Sequence, residues 1–184
     1  MNTTKIMIFL AFLAFLATAC FKAPQYADTP AIAFESIRNA PAGTGTDSVI
    51  LTVSYQDGNG DLGLGDDDKN PPFQELNSNG SVNTAFFNFY ANAYKKVRGN
   101  YVPITFFSYP KLDGRFPRLN ATRSSSIEGT LRYTILFSYI FSSGIYAPAV
   151  SRNDTIKFDV QIADRELNKS NIIQTSEIII GKKN

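Results

Sequence analysis

Oxygen ligands are concentrated in one glycine-rich segment, residues 57–68. Asp57, Asn59 and Asp61 alternate with glycines, and Asp68 stands at the twelfth position counted from Asp57. Glycine lets the chain curl, so these side chains can converge on one side of a loop. Carboxylate and amide oxygens are the hard ligands that calcium prefers. The segment therefore predicts a calcium site formed by Asp57, Asn59, Asp61 and Asp68.

The same segment departs from the helix–loop–helix calcium motif. Leu62 takes the place of the usual sixth-position glycine, the twelfth residue is Asp where Glu is expected, and no helical pattern follows. The alternative is a solvated loop whose glycines supply positive φ angles and which binds no ion. Crowded carboxylates repel one another unless a cation neutralises them, which favours calcium, but the sequence leaves both interpretations open.

Groups for catalysis are few. The chain has no His, no Trp and a single Cys, which excludes a Ser-His-Asp triad, a Cys-His dyad and a histidine-ligated metal. The clustered carboxylates are expected in one turn without an apolar pocket to separate their pKa values. The sequence predicts a protein that is not an enzyme. Its formal net charge of +2 is too small for a nucleic-acid partner.

A second candidate surface is the segment 103–123, where aromatic rings and prolines are mixed with four basic residues against one Asp. Arginine and aromatic side chains dominate the hot spots of protein interfaces. Arg115, Phe116 and Arg118 are therefore predicted to contact a protein partner. The alternative is a long loop that folds back, with its rings covering the core.

Tyrosine and asparagine alternate with apolar residues over residues 86–97. The polar face comprises Asn88, Tyr90, Asn92 and Tyr94. Such a face suits polar recognition, for example of a glycan, and equally suits an ordinary exposed sheet face. Glycan-binding modules normally use Trp, which the chain lacks.

The first 19 residues have the pattern of a secretory leader. Lys5 precedes an apolar run over residues 6–19, which is shorter than the roughly 20 residues of a membrane-spanning helix. The small residues before Cys20 resemble the cleavage box of bacterial lipoproteins. That resemblance implies that Cys20 is acylated and becomes the mature N-terminus. The alternative is a secreted protein with a free thiol.

Residues 20–30 contain two prolines and no apolar pattern, which predicts a tether of up to roughly 30 Å. Residues 31–184 are the length of one domain. The tether lacks the acidic cluster after cysteine that resembles a surface-export signal in Bacteroidota lipoproteins. An outer-membrane anchor that faces the periplasm is therefore favoured over surface exposure.

Alternation of apolar and polar residues predicts about seven strands. They are expected at residues 32–37, 48–55, 86–97, 101–107, 131–139, 155–162 and 172–180. Glycine, proline and asparagine turns separate them. This pattern is typical of an all-β protein, an immunoglobulin-like antiparallel β-sandwich, with a small open β-barrel as the alternative.

Three segments carry a family resemblance: Asp57–Gly65, Gly114–Pro117 and Asp164–Ser170. Together they resemble Bacteroidota outer-membrane lipoproteins with an immunoglobulin-like β-sandwich and an aspartate-glycine loop. In the third segment, Asp and Asn are expected to hydrogen-bond the turn's own backbone. The resemblance implies a fold and a lipid anchor, and no particular activity. We expect a non-catalytic binding or accessory subunit of an envelope assembly, with a glycan-binding surface module as the alternative.

Overall fold

The computed structural model describes residues 24–107, 111–120, 125–139 and 144–183. The leader, Cys20 and the start of the tether lie outside these residues. The strands are β1 (Ala31–Gly43), β2 (Thr46–Asp57), β3 (Phe89–Val97), β4 (Asn100–Pro103), β5 (Thr105–Phe106), β6 (Ile127–Ser138), β7 (Tyr146–Ala147), β8 (Thr155–Ile162), β9 (Ile173–Gln174) and β10 (Ile178–Ile179), and a 3-10 helix spans Thr84–Phe86. Within the described ranges, no helix has the length and apolar character needed to cross a membrane.

The strands form antiparallel sheets. The first sheet has the order β1-β2-β6, and β2 pairs with β6 along its whole length, from Thr46 opposite Ser138 to Asp57 opposite Ile127. The second sheet has the order β10-β8-β3-β4, with β9 also paired to β8. A small third sheet joins β5 and β7. The predicted all-β antiparallel fold, a β-sandwich or open barrel, is confirmed.

Alternating side chains build the core between the two larger sheets. In β8 every second residue is buried, from Ile156 to Ile162, and β2 buries Val49, Leu51 and Val53 in the same way. Successive residues of a strand point to opposite faces, so each sheet turns one apolar face inward. Burying one such side chain contributes about 1.5–3 kcal/mol to folding.

Two predicted strands differ from the observed ones for local reasons. The strand predicted from residue 86 begins at Phe89, because the residues before it form the 3-10 helix, whose first turn is capped by the Asn83 side chain. The strand predicted over residues 172–180 is two short strands, because Thr175 turns inward between them. Its Oγ1 accepts a hydrogen bond from the Phe158 N–H at 3.0 Å.

After β2 the chain crosses towards the second sheet through residues 58–65, here called the crossing loop. Leu62 and Leu64 in this loop are buried. The Leu64 N–H donates to the Phe116 carbonyl at 3.0 Å, and the Leu119 N–H donates to the Leu62 carbonyl at 3.0 Å. Leu62 also forms a β-bridge with Asp164, which follows β8. The crossing loop is therefore packed between the two sheets, where the sequence allowed a solvated turn.

Candidate metal centre and the surfaces around it

Three aspartates meet where the crossing loop joins the two sheets. Asp57 ends β2, Asp61 lies in the crossing loop and Asp164 follows β8. One carboxylate oxygen of each lies within 4.8 Å of the others. The side chains are 0%, 1% and 2% exposed, respectively. This acidic triad thus draws one carboxylate from the end of β2, one from the crossing loop and one from the turn that follows β8.

Backbone hydrogen bonds fix two of these carboxylates. Asp57 Oδ2 accepts from the Asp61 N–H at 2.8 Å. Asp164 Oδ1 accepts from the N–H groups of Glu166 at 2.9 Å and Asn168 at 2.8 Å, and its Oδ2 accepts from Asn168 Nδ2 at 2.9 Å. The self-bonded turn predicted at Asp164 is confirmed. Among the described residues, Asp57 Oδ1 is buried and has no hydrogen-bond partner.

Burial perturbs the acidity of the triad. Removal from solvent raises the pKa of Asp57 to about 6, since the opposing hydrogen bond from the Asp61 N–H is the weaker influence and the charges of Asp61 and Asp164 raise it further. Burial also raises the pKa of Asp164, against hydrogen bonds from Asn168. Of the clustered carboxylates that the sequence places in one turn without an apolar pocket, Asp57 and Asp61 are buried, whereas Asp66 and Asp67 are exposed. The triad can hold either a cation or a proton.

The other two predicted ligands lie in different surroundings. Asp68 binds Arg118, which donates from Nη2 at 2.7 Å and from Nε at 3.0 Å, and this pairing lowers the pKa of Asp68. The Gly65 N–H occupies the same carboxylate at 2.7 Å. Asn59 is half-buried, and its Oδ1 has no hydrogen-bond partner among the described residues. The structure brings Asp57 and Asp61 together and leaves Asp68 in an ion pair.

Asp164 was missed as a ligand by the reasoning from spacing. Spacing along one loop cannot include Asp164, which reaches the triad through the β-bridge between Leu62 and Asp164. The sequence does mark Asp164 as the first residue of the turn motif Asp164–Ser170. Nothing local, however, indicates that this turn abuts the crossing loop.

Phe116 lies in the core. Its side chain is 2% exposed, its N–H donates to Asn88 Oδ1 at 2.8 Å, and its carbonyl accepts from Asn88 Nδ2 at 3.0 Å. The ring that the sequence predicted to contact a protein partner is buried in this chain, because it gains more from burial between the sheets than from exposure. This burial fits the alternative, a long loop that folds back with its rings covering the core.

The two neighbouring arginines bind residues 65–68, at the end of the crossing loop and just after it. Arg115 donates to the carbonyls of Phe86 at 2.7 Å, Gly65 at 3.1 Å and Asp68 at 3.0 Å. Its guanidinium also lies 4.7 Å from the centroid of the Phe86 ring. Arg118 forms the ion pair with Asp68 already described. Both cations therefore have internal partners in the segment where a partner surface was predicted.

A different surface presents tyrosines outward. On the outer side of the second sheet lie the residues here called the tyrosine face: Asn92, Tyr94, Lys96, Tyr101 and Lys157. The Lys157 Nζ lies 3.8 Å from the Tyr101 ring centroid and the Lys96 Nζ lies 5.7 Å from it. A hydrogen bond between Tyr94 and Asp159 raises the pKa of Tyr94. Asn92 and Lys96 are exposed and the other three are half-buried.

Asn88 and Tyr90, which the sequence placed on the same polar face, have internal roles. Asn88 is 1% exposed and binds the backbone of Phe116. The Tyr90 hydroxyl, which has one proton to donate, lies 2.8 Å from the Phe87 carbonyl oxygen and 3.1 Å from that of Thr84. Beside Tyr90 is a cleft of about 120 Å³, and a second cleft, of about 190 Å³, lies at the start of β1. Both are smaller than the roughly 300–1,000 Å³ of most small-molecule sites.

Comparisons of the chain with protein-family models, with curated proteins and with solved structures found no match. The acidic triad and the tyrosine face are therefore the features from which a function is inferred.

Proposed function

We propose that this protein is a lipid-anchored, non-catalytic binding module of an outer-membrane assembly, which contacts a protein partner through the tyrosine face. The observation that carries the proposal is the arrangement of aromatic and charged groups on that face. Tyr101 is ordered by Lys157 over its ring and by a hydrogen bond from its hydroxyl to Glu177. Side chains that are held in place before binding lose less conformational entropy on association.

A protein partner is favoured over a glycan by the cations on the rings. Sugar rings stack on open aromatic faces, whereas Lys157 lies over Tyr101 and the Lys169 Nζ lies 4.7 Å from the Tyr90 ring centroid. The chain also lacks Trp. Tyrosine is enriched at protein interfaces and among their hot spots. A glycan-binding surface module is kept as the alternative that the following experiment distinguishes.

Asn92→Arg is expected to lower the recovery of a co-purifying protein at least tenfold. The new side chain adds a bulky charge to the face, two residues before Tyr94 on the same strand. A tenfold loss corresponds to about 1.4 kcal/mol of binding free energy. Tagged full-length lipoprotein would be cross-linked in membranes, solubilised in detergent and purified, and the captured proteins quantified by mass spectrometry.

The matched control is Thr134→Arg, which places the same side chain at an exposed strand position on the first sheet. This variant is expected to retain the partner. Equal recovery with Asn92→Arg and wild type would place the interface elsewhere. Capture of a glycan without a protein would support the alternative function.

The anchor is tested independently, since Cys20 lies outside the described residues. We propose that Cys20 carries the lipid and that the protein faces the periplasm from the outer membrane. Cys20→Ala is expected to abolish metabolic palmitate labelling and to release the protein into the soluble fraction, because one or more acyl chains supply the membrane affinity. Protease protection in intact cells measures the orientation. An unlabelled wild type, or a variant that stays in the membrane, contradicts the assignment.

A further inference from the structure

We infer that Asp57, Asp61 and Asp164 form a calcium site that ties the two sheets together through the crossing loop. This donor set differs from the one that spacing predicted, because Asp164 replaces Asp68. The site lies apart from the tyrosine face, so it goes beyond the proposed function and can fail without it.

The first support is geometric. Calcium binds oxygen at about 2.3–2.6 Å, so two oxygens on one calcium ion are at most about 5 Å apart. The carboxylate oxygens of the triad lie within 4.8 Å of one another and meet this limit as they stand. The three residues belong to separate parts of the chain, and the fold, rather than one flexible loop, sets their positions.

The second support is a buried oxygen that lacks a partner. Asp57 is 0% exposed, one of its oxygens is bound by the Asp61 N–H, and the other, Oδ1, has no hydrogen-bond partner among the described residues. A buried carboxylate oxygen without a partner is costly, and buried charges are normally paired or coordinate a metal. A cation held between the three carboxylates supplies the missing partner.

The chemistry of the donors selects the ion. Carboxylate oxygens are hard ligands, and the chain has no histidine to favour a transition metal. Calcium accepts six to eight oxygens in irregular arrangements, whereas magnesium demands a near-octahedral shell and gives up water reluctantly. Asn59, whose buried Oδ1 has no partner among the described residues, offers a neutral oxygen two residues after Asp57. Calcium fits this set better than magnesium.

Direct binding tests the site. Full-length protein in detergent, stripped with chelator, would be titrated with calcium chloride and with magnesium chloride by isothermal calorimetry. We expect one calcium per chain, with magnesium at least tenfold weaker. A dissociation constant of about 10⁻⁴–10⁻³ M is typical of extracellular modules. At ten times that concentration, calcium is expected to raise the thermal midpoint by about 3–6 °C.

Two isosteric variants test whether Asp164, which the structure places in the site, or Asp68, which spacing predicted, is a calcium ligand. Asp164→Asn is expected to lower calcium affinity at least tenfold, whereas Asp68→Asn is expected to leave it within about twofold of wild type. Asp61→Asn serves as a second test should Asp164→Asn disturb its own turn, since Asp61 lies outside that turn.

Three results would overturn the site. The first is a wild type that binds no calcium. The second is a loss of binding in Asp68→Asn together with full binding in Asp164→Asn and Asp61→Asn. The third is equal affinity for magnesium and calcium, which would overturn the choice of ion.

Discussion

Phe116→Ala is expected to lower the free energy of unfolding by about 3–5 kcal/mol, the usual cost of removing a buried aromatic ring from a core. The ring is 2% exposed and belongs to the main hydrophobic cluster. The backbone hydrogen bonds between residue 116 and Asn88 do not involve the ring, so they can persist in the variant. Urea unfolding of the purified protein, followed by circular dichroism, measures the change.

Phe107→Ala is the matched control, because it removes the same ring from a position that is 59% exposed. Surface substitutions usually change stability by no more than about 0.5 kcal/mol. If the two variants unfold at the same urea concentration, the Phe116 ring contributes nothing to the core. Loss of a co-purifying protein from Phe116→Ala at unchanged stability would then restore the interpretation of Phe116 as a partner anchor.

The sheets could be predicted because their signal is local. In β8 the residues Ile156, Phe158, Val160 and Ile162 alternate with polar ones, and burial follows this alternation without exception. A period of two constrains the backbone to a strand with one buried face, whatever the partner strand. The ends of strands were less predictable, because they depend on single side chains such as Asn83 at the 3-10 helix and Thr175 before β10.

The candidate site was predictable only in part, since two of its determinants are non-local. Asp57 at the end of β2 and Asp61 in the crossing loop are four residues apart, and the glycines between them allow their approach. Asp164 and Asp68 could not be ranked as ligands from the sequence, because the ranking depends on which residue pairs with Arg118 and which turn abuts Leu62. Counting positions along one loop reveals neither the ion pair of Asp68 with Arg118 nor the contact of the Asp164 turn with Leu62.

The sequence was also ambiguous about Phe116 and the arginines on either side of it, Arg115 and Arg118. The composition around Phe116 fits a protein hot spot and fits a core ring bordered by arginines that bind backbone carbonyls. Arg115 takes the second role, with three carbonyl acceptors. Only the fold shows that the carbonyls of Gly65, Asp68 and Phe86 lie within its reach.

Gly63→Ala is expected to be strongly destabilising, because this position of the crossing loop combines an unfavourable φ angle with close packing. Gly63 has φ +96°, and an added Cβ would overlap the Pro117 carbonyl oxygen and lie 2.5 Å from Arg118 Cα. The left-handed backbone costs roughly 1–2 kcal/mol for a residue with a side chain, and overpacking adds about 1–3 kcal/mol. Thermal and urea unfolding measure the sum, about 2–5 kcal/mol.

Gly80→Ala separates the two contributions. Gly80 has φ +80°, but its added Cβ would meet no described atom within 4 Å, so only the cost of roughly 1–2 kcal/mol for the backbone is expected. Because the crossing loop carries Asp61, Gly63→Ala should also weaken calcium binding, whereas Gly80→Ala should leave it unchanged. Equal destabilisation by the two substitutions would mean that the crossing loop and the strand-connecting segment 111–120 separate easily. The triad would then lack the rigid loop on which its geometry depends.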